Sequence, residues 1–144
     1  MLEKLLHYIK VKDVMVSPVI TVHENDELHI IQDKFATYDI RHLPVINDAG
    51  RVVGLIGQRD LYKIHSPRRL EDGSWYYDKD ILDSFILKNV MVKDPYFLKP
   101  ENTLEDIMKD MVRFKFGCIP IVDEYGKPVG IITRDTIIQI FLKL

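Results

Sequence analysis

The side chains able to do chemistry in this 144-residue chain are scattered, and their spacing assembles no catalytic set. Five histidines, His7, His23, His29, His42 and His65, form no zinc-ligand motif, and no G-x-x-x-x-G-K-[ST] or G-x-S-x-G segment occurs. The single cysteine, Cys118, can close no internal disulfide and reads as a small packing residue rather than a reactive thiol. Two polar segments stand out instead, Gly57-Gln58-Arg59-Asp60 and Thr133-Arg134-Asp135-Thr136, each where an apolar run gives way to a helix. Asp60 and Thr133 there read as helix-cap candidates.

The elements that must position these segments are legible from a repeat. Val14-Met15-Val16 recurs as Val90-Met91-Val92, an offset of 76 positions (91 minus 15) that then holds without a gap. Leu28 falls on Leu104, Ile31 on Ile107, Phe35 on Met111, Pro44 on Pro120, Gly50 on Gly126, Gly54 on Gly130 and Ile56 on Ile132. Each copy has a short β-type stretch, Val19–Val22 or Tyr96–Leu98. A helix follows, capped by Asn25 or Asp26 in the first copy and by Asn102 or Thr103 in the second. Leu28, Ile31, Phe35 and Tyr38, matched by Leu104, Ile107, Met111 and Phe114, form its apolar, core-facing stripe. Two strands joined by a glycine-bearing turn come next, Leu43–Ile46 with Val52–Ile56 and Ile119–Val122 with Val129–Ile132. Helices from Arg59 and Arg134 onward close each β-α-β-β-α unit.

A unit of roughly 60 residues buries only about 60% of the surface its unfolded chain exposes, so two copies are expected to share a core. The fold class is therefore α/β (α+β), with two motifs related by a pseudo-two-fold axis, sheets face to face, and two clefts between them. The divisions are 1–61 with an N-terminal helix, a linker at 62–85 with an amphipathic helix, and 86–144. The linker carries Lys63, His65, Arg68 and Arg69, then Trp75-Tyr76-Tyr77, then Ile81, Leu82, Phe85 and Ile86 at helical spacing. Its aromatics either pack across a seam or form a docking surface or lid.

Hydrophobic residues make up 47% of the chain, enough for a core, and 20 Lys+Arg against 22 Asp+Glu give a net charge of −2. No global basic field is available for nucleic acid or an anionic membrane. No apolar run approaches the roughly 18 residues of a membrane helix, and Met1 to Lys10 lacks the apolar stretch of a secretory signal. A lone thiol and these absences make the cytoplasm the expected compartment.

The Val-Met-Val openings, the Leu43-Pro44-Val45 and Ile119-Pro120-Ile121 strands, the Gly50 and Gly126 turns, and the segments from Gly54 to Asp60 and Gly130 to Thr136 resemble a tandem pair of cystathionine-beta-synthase (CBS) domains, a Bateman module. The resemblance covers about Val11 to Leu144. It implies a non-catalytic sensor whose clefts bind AMP, ADP, ATP or S-adenosylmethionine and which regulates a partner protein. In the family a Ser/Thr-x-x-Asp segment opens the final helix, the hydroxyl facing phosphate and the aspartate gripping the ribose diol. This chain departs from it in complementary ways: Gly57–Asp60 keeps the aspartate without the hydroxyl, and Thr133–Thr136 keeps the hydroxyl without the aspartate.

The two clefts are thus expected to differ. Gly57, Arg59 and Asp60 would form the better nucleoside site, walled by Met91, Tyr96, Phe97, Phe116, Gly117 and Pro120, with Tyr96 or Phe97 against an adenine. Thr133 and Arg134 would be joined by Met15, Ile20, Thr21, Ile40, Arg41, His42 and Pro44. Arg41 and His42 read either as ligand contacts or as a solvated helix end, and His42 is a candidate pH-sensitive group by residue type. The rival reading is a ligand-free dimerisation or scaffold module. Apolar residues at both ends, Leu2, Leu5, Leu6 and Ile9 with Ile137, Ile138, Phe141 and Leu144, need cover and point to an oligomer, and the resemblance implies that it is a homodimer.

Overall fold

The computed structural model describes residues 1–65, 68–76 and 85–143, with 62–65, 68, 69, 75 and 76 described by their backbone. Seven helices are described: α1 (Leu2–Tyr8), α2 (Val11–Val14), α3 (Leu28–Tyr38), α4 (Gln58–His65), α5 (Leu87–Val90), α6 (Leu104–Phe114) and α7 (Arg134–Leu142). The strands are β1 (Val22–His23), β2 (His42–Ile46), β3 (Val52–Gly57), β4 (Arg68–Arg69), β5 (Trp75–Tyr76), β6 (Val92–Lys93), β7 (Cys118–Val122) and β8 (Pro128–Thr133). The 76-residue offset carries α2 onto α5, α3 onto α6 and β2 onto β7, so the repeat read in sequence is a repeat of structure. The expected β-α-β-β-α order is present in the first copy, and in the second the opening strand is reduced to a single bridge at Leu98.

The chain folds into two compact units, and their boundaries cut across the repeat. One unit comprises 20–47 and 53–94, the other 1–19, 48–52 and 95–144. The opening segment of each repeat therefore lies in the unit built from the body of the other.

In the unit centred on the first repeat the sheet order is β1-β2-β3-β6. β1 runs parallel to β2, Val22 opposite Val45, and β6 runs antiparallel to β3, Val92 opposite Leu55. Branched residues on these strands meet α3 in a cluster of Val22, Ile31, Phe35, Leu43, Val45, Ile56, Leu61 and Leu87. Burial of such side chains contributes about 1.5–3 kcal/mol each.

The other unit reproduces this order with shorter flanks. β7 pairs antiparallel with β8, Ile119 opposite Ile132. Single bridges take the flanking places, Leu98 parallel to Ile121 and Val16 antiparallel to Ile131. Val16 exchanges both backbone bonds with Ile131, at 2.9 and 3.1 Å. Its core is Val11, Ile107, Met111, Ile119, Ile121 and Ile132. The described apolar residues form these two clusters, each completed by a segment from the other repeat.

Other local expectations shift. Val19, Ile20 and Thr21 are outside β1, and Tyr96 and Phe97 are outside any strand. Helix α3 starts at Leu28 with Glu27 as N-cap and no side-chain cap; Asp26 instead accepts the His23 amide at 2.8 Å. At α6, Thr103 is the N-cap and forms a full capping box with Asp106. Tyr38 and Phe114, the fourth positions of the apolar stripes, are 51% and 43% exposed, because each ends its helix beyond the packed turns. His42 opens a strand and is no helix end. Gly50 and Gly126 adopt the positive φ that their turns demand, 79° and 81°. Tyr77, Ile81, Leu82 and Leu144 lie outside the described residues.

Candidate functional site

In the unit of 20–47 and 53–94, the last strand of the repeat ends at Gly57 and α4 begins at once. The first amide of that helix, on Gln58, donates to the Arg41 carbonyl at 2.9 Å. This backbone clamp holds the start of β2 against the start of α4, so Arg41 and His42 come to lie beside Gly57, Arg59 and Asp60. Asp60 Oδ2 accepts the Gly57 amide at 2.8 Å. A β-carbon at Gly57 would sit 3.4 Å from Asp60 Oδ2, 3.7 Å from His42 Cδ2 and 3.8 Å from the Arg41 carbonyl. Glycine there keeps the space between carboxylate and imidazole clear.

The electrostatics of this cluster act on His42. Half-buried, it is held below its ordinary pKa of 6.5, first by desolvation, which outweighs the opposing Asp60 charge, and then by the Arg41 and Arg59 charges, each a smaller influence than Asp60. Met91 packs on Gly54 in the same unit, and Ile20 and Ile40 pack against its core. Pro44 is buried within β2, and the Thr21 carbonyl accepts Lys34 Nζ at 2.6 Å.

The equivalent locus in the other unit is built on the same clamp. Arg134 N donates to the Gly117 carbonyl at 3.1 Å, and the Arg134 guanidinium reaches the Lys115 carbonyl at 3.3 Å. Thr133 is the N-cap of α7, its hydroxyl 3.3 Å from the Thr136 amide and 3.2 Å from the Thr136 hydroxyl. The position that holds Asp60 in the first repeat thus holds a threonine that closes back on Thr133. Met15 packs on Gly130 in this unit. Pro120 is buried in β7, opposite Ile131.

Tyr96, Phe114 and Phe116 form a triangle of rings with centroids 5.4–5.5 Å apart, and the Tyr96 hydroxyl donates to Asp110 Oδ2 at 2.5 Å. That bond is the first cause raising the Tyr96 pKa to about 12. Phe97 is 45% exposed with Lys99 Nζ 5.3 Å over its ring. Phe114 and Asp110 were absent from the sequence-derived site. They reach Tyr96 only by tertiary packing, although the aromatic end of the α6 stripe was a visible signal.

Sequence grouped Arg41 and His42 with Thr133 and Arg134, and Phe116 and Gly117 with Asp60. Within the units the structure places Arg41 and His42 with Asp60, and Phe116 and Gly117 with Arg134.

The CBS domain family profile matches residues 11–66 and 87–143. The chain belongs to the CBS domain family. The two CBS matches coincide with the two structural repeats, and the mixed α+β fold is that of CBS domain pairs. Among relatives, this CBS chain is 29% identical over 130 residues to an uncharacterised protein, MJ1225, of Methanocaldococcus jannaschii, covering 90% of this chain and 42% of that one. It is 32% identical over 120 residues to inosine-5'-monophosphate dehydrogenase of Korarchaeum cryptofilum, covering 83% of this chain and 21% of the enzyme. The chain therefore spans less than half the length of either relative.

Among solved structures, CBSX2 in complex with AMP superposes with a TM-score of 0.76 at 24% identity, covering 94% of this chain and 97% of that one. The CBS domain pair of protein MJ0100, in complex with 5'-methylthioadenosine and S-adenosyl-L-methionine, gives 0.76 at 22% identity, covering 93% and 96%. Both likenesses are of fold. Among the described residues no helix is long and apolar enough to cross a membrane.

Proposed function

We propose that this chain is a regulatory module that binds an adenine nucleotide, AMP, ADP or ATP, and transmits occupancy to a partner protein. The observation that carries the reading is the α4 cluster. Asp60 is anchored by the Gly57 amide at 2.8 Å and flanked by Arg41, His42 and Arg59. A carboxylate offers about four lone-pair sites, so the Gly57 bond leaves capacity for a ribose diol. The arginines supply cations suited to phosphate. The AMP complex of CBSX2 supports the ligand class. In this reading the clefts are unequal, with Asp60 serving the nucleoside and the Thr133–Thr136 pair spent on its own helix cap.

A second ligand, S-adenosylmethionine, is favoured by the MJ0100 complex and shares the adenosine group. The regulated partner is either a separate protein or, as the short coverage of the enzyme relatives suggests, a domain of a longer chain. A homodimer is part of the proposal, since Leu2, Leu5, Ile138 and Leu142 on α1 and α7 are exposed apolar residues. Coupling of the proposed kind amounts to about 1–3 kcal/mol and is bounded by the ligand's differential affinity for the two states.

Titration calorimetry with AMP, ADP, ATP and S-adenosylmethionine tests the reading. Binding is expected with at least one adenine nucleotide, and Asp60→Ala is expected to weaken it by tenfold or more, about 1.4 kcal/mol. Silence with all four ligands would establish the scaffold reading instead. Unchanged affinity in Asp60→Ala would overturn the site assignment while leaving the module's class intact.

A further inference from the structure

We propose that His42 selects a phosphorylated nucleoside at the α4 site by taking up a proton as the ligand binds, neutral in the free protein and an imidazolium beside the bound phosphate. The proposal rests on the adenine-nucleotide reading of that site and names its specificity-determining group.

The geometry comes first. The Gln58–Arg41 clamp fixes the start of β2 against α4, and the imidazole and the Asp60 carboxylate flank Gly57, which offers no side chain between them. A ligand whose ribose engages Asp60 has its 5' substituent within one sugar of that carboxylate, in the neighbourhood of Arg41, His42 and Arg59. Among the described residues the charged groups facing His42 are Asp60 and Arg59 from α4 and Arg41 from the preceding residue. Strand β3, Val52–Gly57, has no titratable side chain. The titratable residue of β1, His23, is opposite Ile46 at the far end of β2.

The charge balance then decides the protonation state. Desolvation is the largest influence on His42 and lowers its pKa from 6.5; both arginines act in the same direction, and Asp60 alone opposes them. The ring is therefore neutral in the free protein at neutral pH. A phosphate dianion reverses the balance, because it introduces negative charge where a cation had been disfavoured and accepts a charge-assisted bond from the imidazolium. Adenosine brings no such charge, and the sulfonium of S-adenosylmethionine adds to the repulsion. Affinity for the phosphorylated ligand alone should rise as pH falls through the window between the bound and free pKa values.

The test is calorimetry of the full chain with AMP and with adenosine, in two buffers of different ionisation enthalpy, from about pH 8 to about pH 5. Wild type is expected to take up more protons with AMP than His42→Gln does, the difference cancelling the phosphate's own titration, and none with adenosine. The AMP-to-adenosine affinity ratio of wild type, divided by that of His42→Gln, should rise about tenfold across the range, the effect of a one-unit pKa rise on binding. The division cancels the titration of the phosphate itself, near pH 6. Arg59→Gln keeps the imidazole and should move proton uptake to higher pH, a readout that does not depend on His42→Gln folding. Absence of binding by AMP, ADP and ATP alike at every pH would overturn the adenine-nucleotide reading and this inference with it; where ADP or ATP binds instead, that nucleotide takes the place of AMP in the comparison. AMP binding with equal proton counts in wild type and both variants would overturn this inference alone.

Discussion

The Met91 side chain lies where a β-carbon on Gly54 would have to go, with Cε 2.9 Å and Cγ 3.1 Å from that position. In the other unit Met15 covers Gly130 in the same way, with Cγ at 2.7 Å and Cβ at 3.1 Å. Each pair joins the opening segment of one repeat to the returning strand of the other. Replacing either glycine by alanine should destabilise by about 1–3 kcal/mol, the range for forcing extra volume into a packed site. Gly130→Ala should cost more, because the atoms it meets lie nearer the Met15 backbone than the flexible tip of Met91. Chemical denaturation measures both. Met91→Ala in the Gly54→Ala background should cost less than the sum of the single changes, since it removes the colliding atoms.

Thr103 and Asp106 form a reciprocal cap on α6, with bonds of 3.1 and 3.0 Å. Thr103→Ala should lower stability by about 1 kcal/mol. The cap is also acid-sensitive. The Thr103 amide first, and Asn102 next, hold the Asp106 carboxyl below its usual 3.8. A depressed carboxylate contributes stability that is present above the unfolded pKa and lost as pH falls through the folded one. The melting-temperature difference between wild type and Asp106→Asn should therefore shrink as pH drops below about 4.

The same linkage has the opposite sense at His42 in the ligand-free protein. Its folded pKa lies below 6.5, so below that pH the unfolded chain binds a proton that the folded chain resists. Stability should fall as pH drops through 6.5 toward the folded value, and His42→Gln should flatten that part of the thermal-stability profile. A slope that survives the substitution would assign it to another group.

Cys118 is 6% exposed in β7, and burial pushes its thiol up to about 12. Since the thiolate is the reactive form, thiol reagents should label the native protein slowly even at mildly alkaline pH and rapidly once it unfolds. Fast labelling of folded protein would contradict its place in the core.

The repeat, the order of elements and the glycine turns could be read directly because each rests on local physics. Periods of two and three to four residues mark faces of strands and helices, and glycine marks positive φ at positions 50 and 126. Thr103 was readable as a cap for the same reason. Glu27 was not, because it caps α3 without a side-chain bond and the stronger cap formers Asn25 and Asp26 precede it. Asp60 and Thr133 were legible as a matched pair of helix starts, one with a carboxylate and one with a hydroxyl.

The grouping of residues around those starts was decided by tertiary structure. The clamps from Gln58 to Arg41 and from Arg134 to Gly117 are bonds between backbone atoms, which any side chains could flank, so they leave no mark in residue types. The exchange of opening segments is equally silent. Val16 on Ile131 and Val92 on Leu55 have the same residue pattern as the self-paired alternative. Sequence by itself determined that this chain carries two copies of one motif with unequal helix starts. Long-range backbone pairing, indifferent to side-chain identity, decided which copy completes which core and that His42 stands beside Asp60.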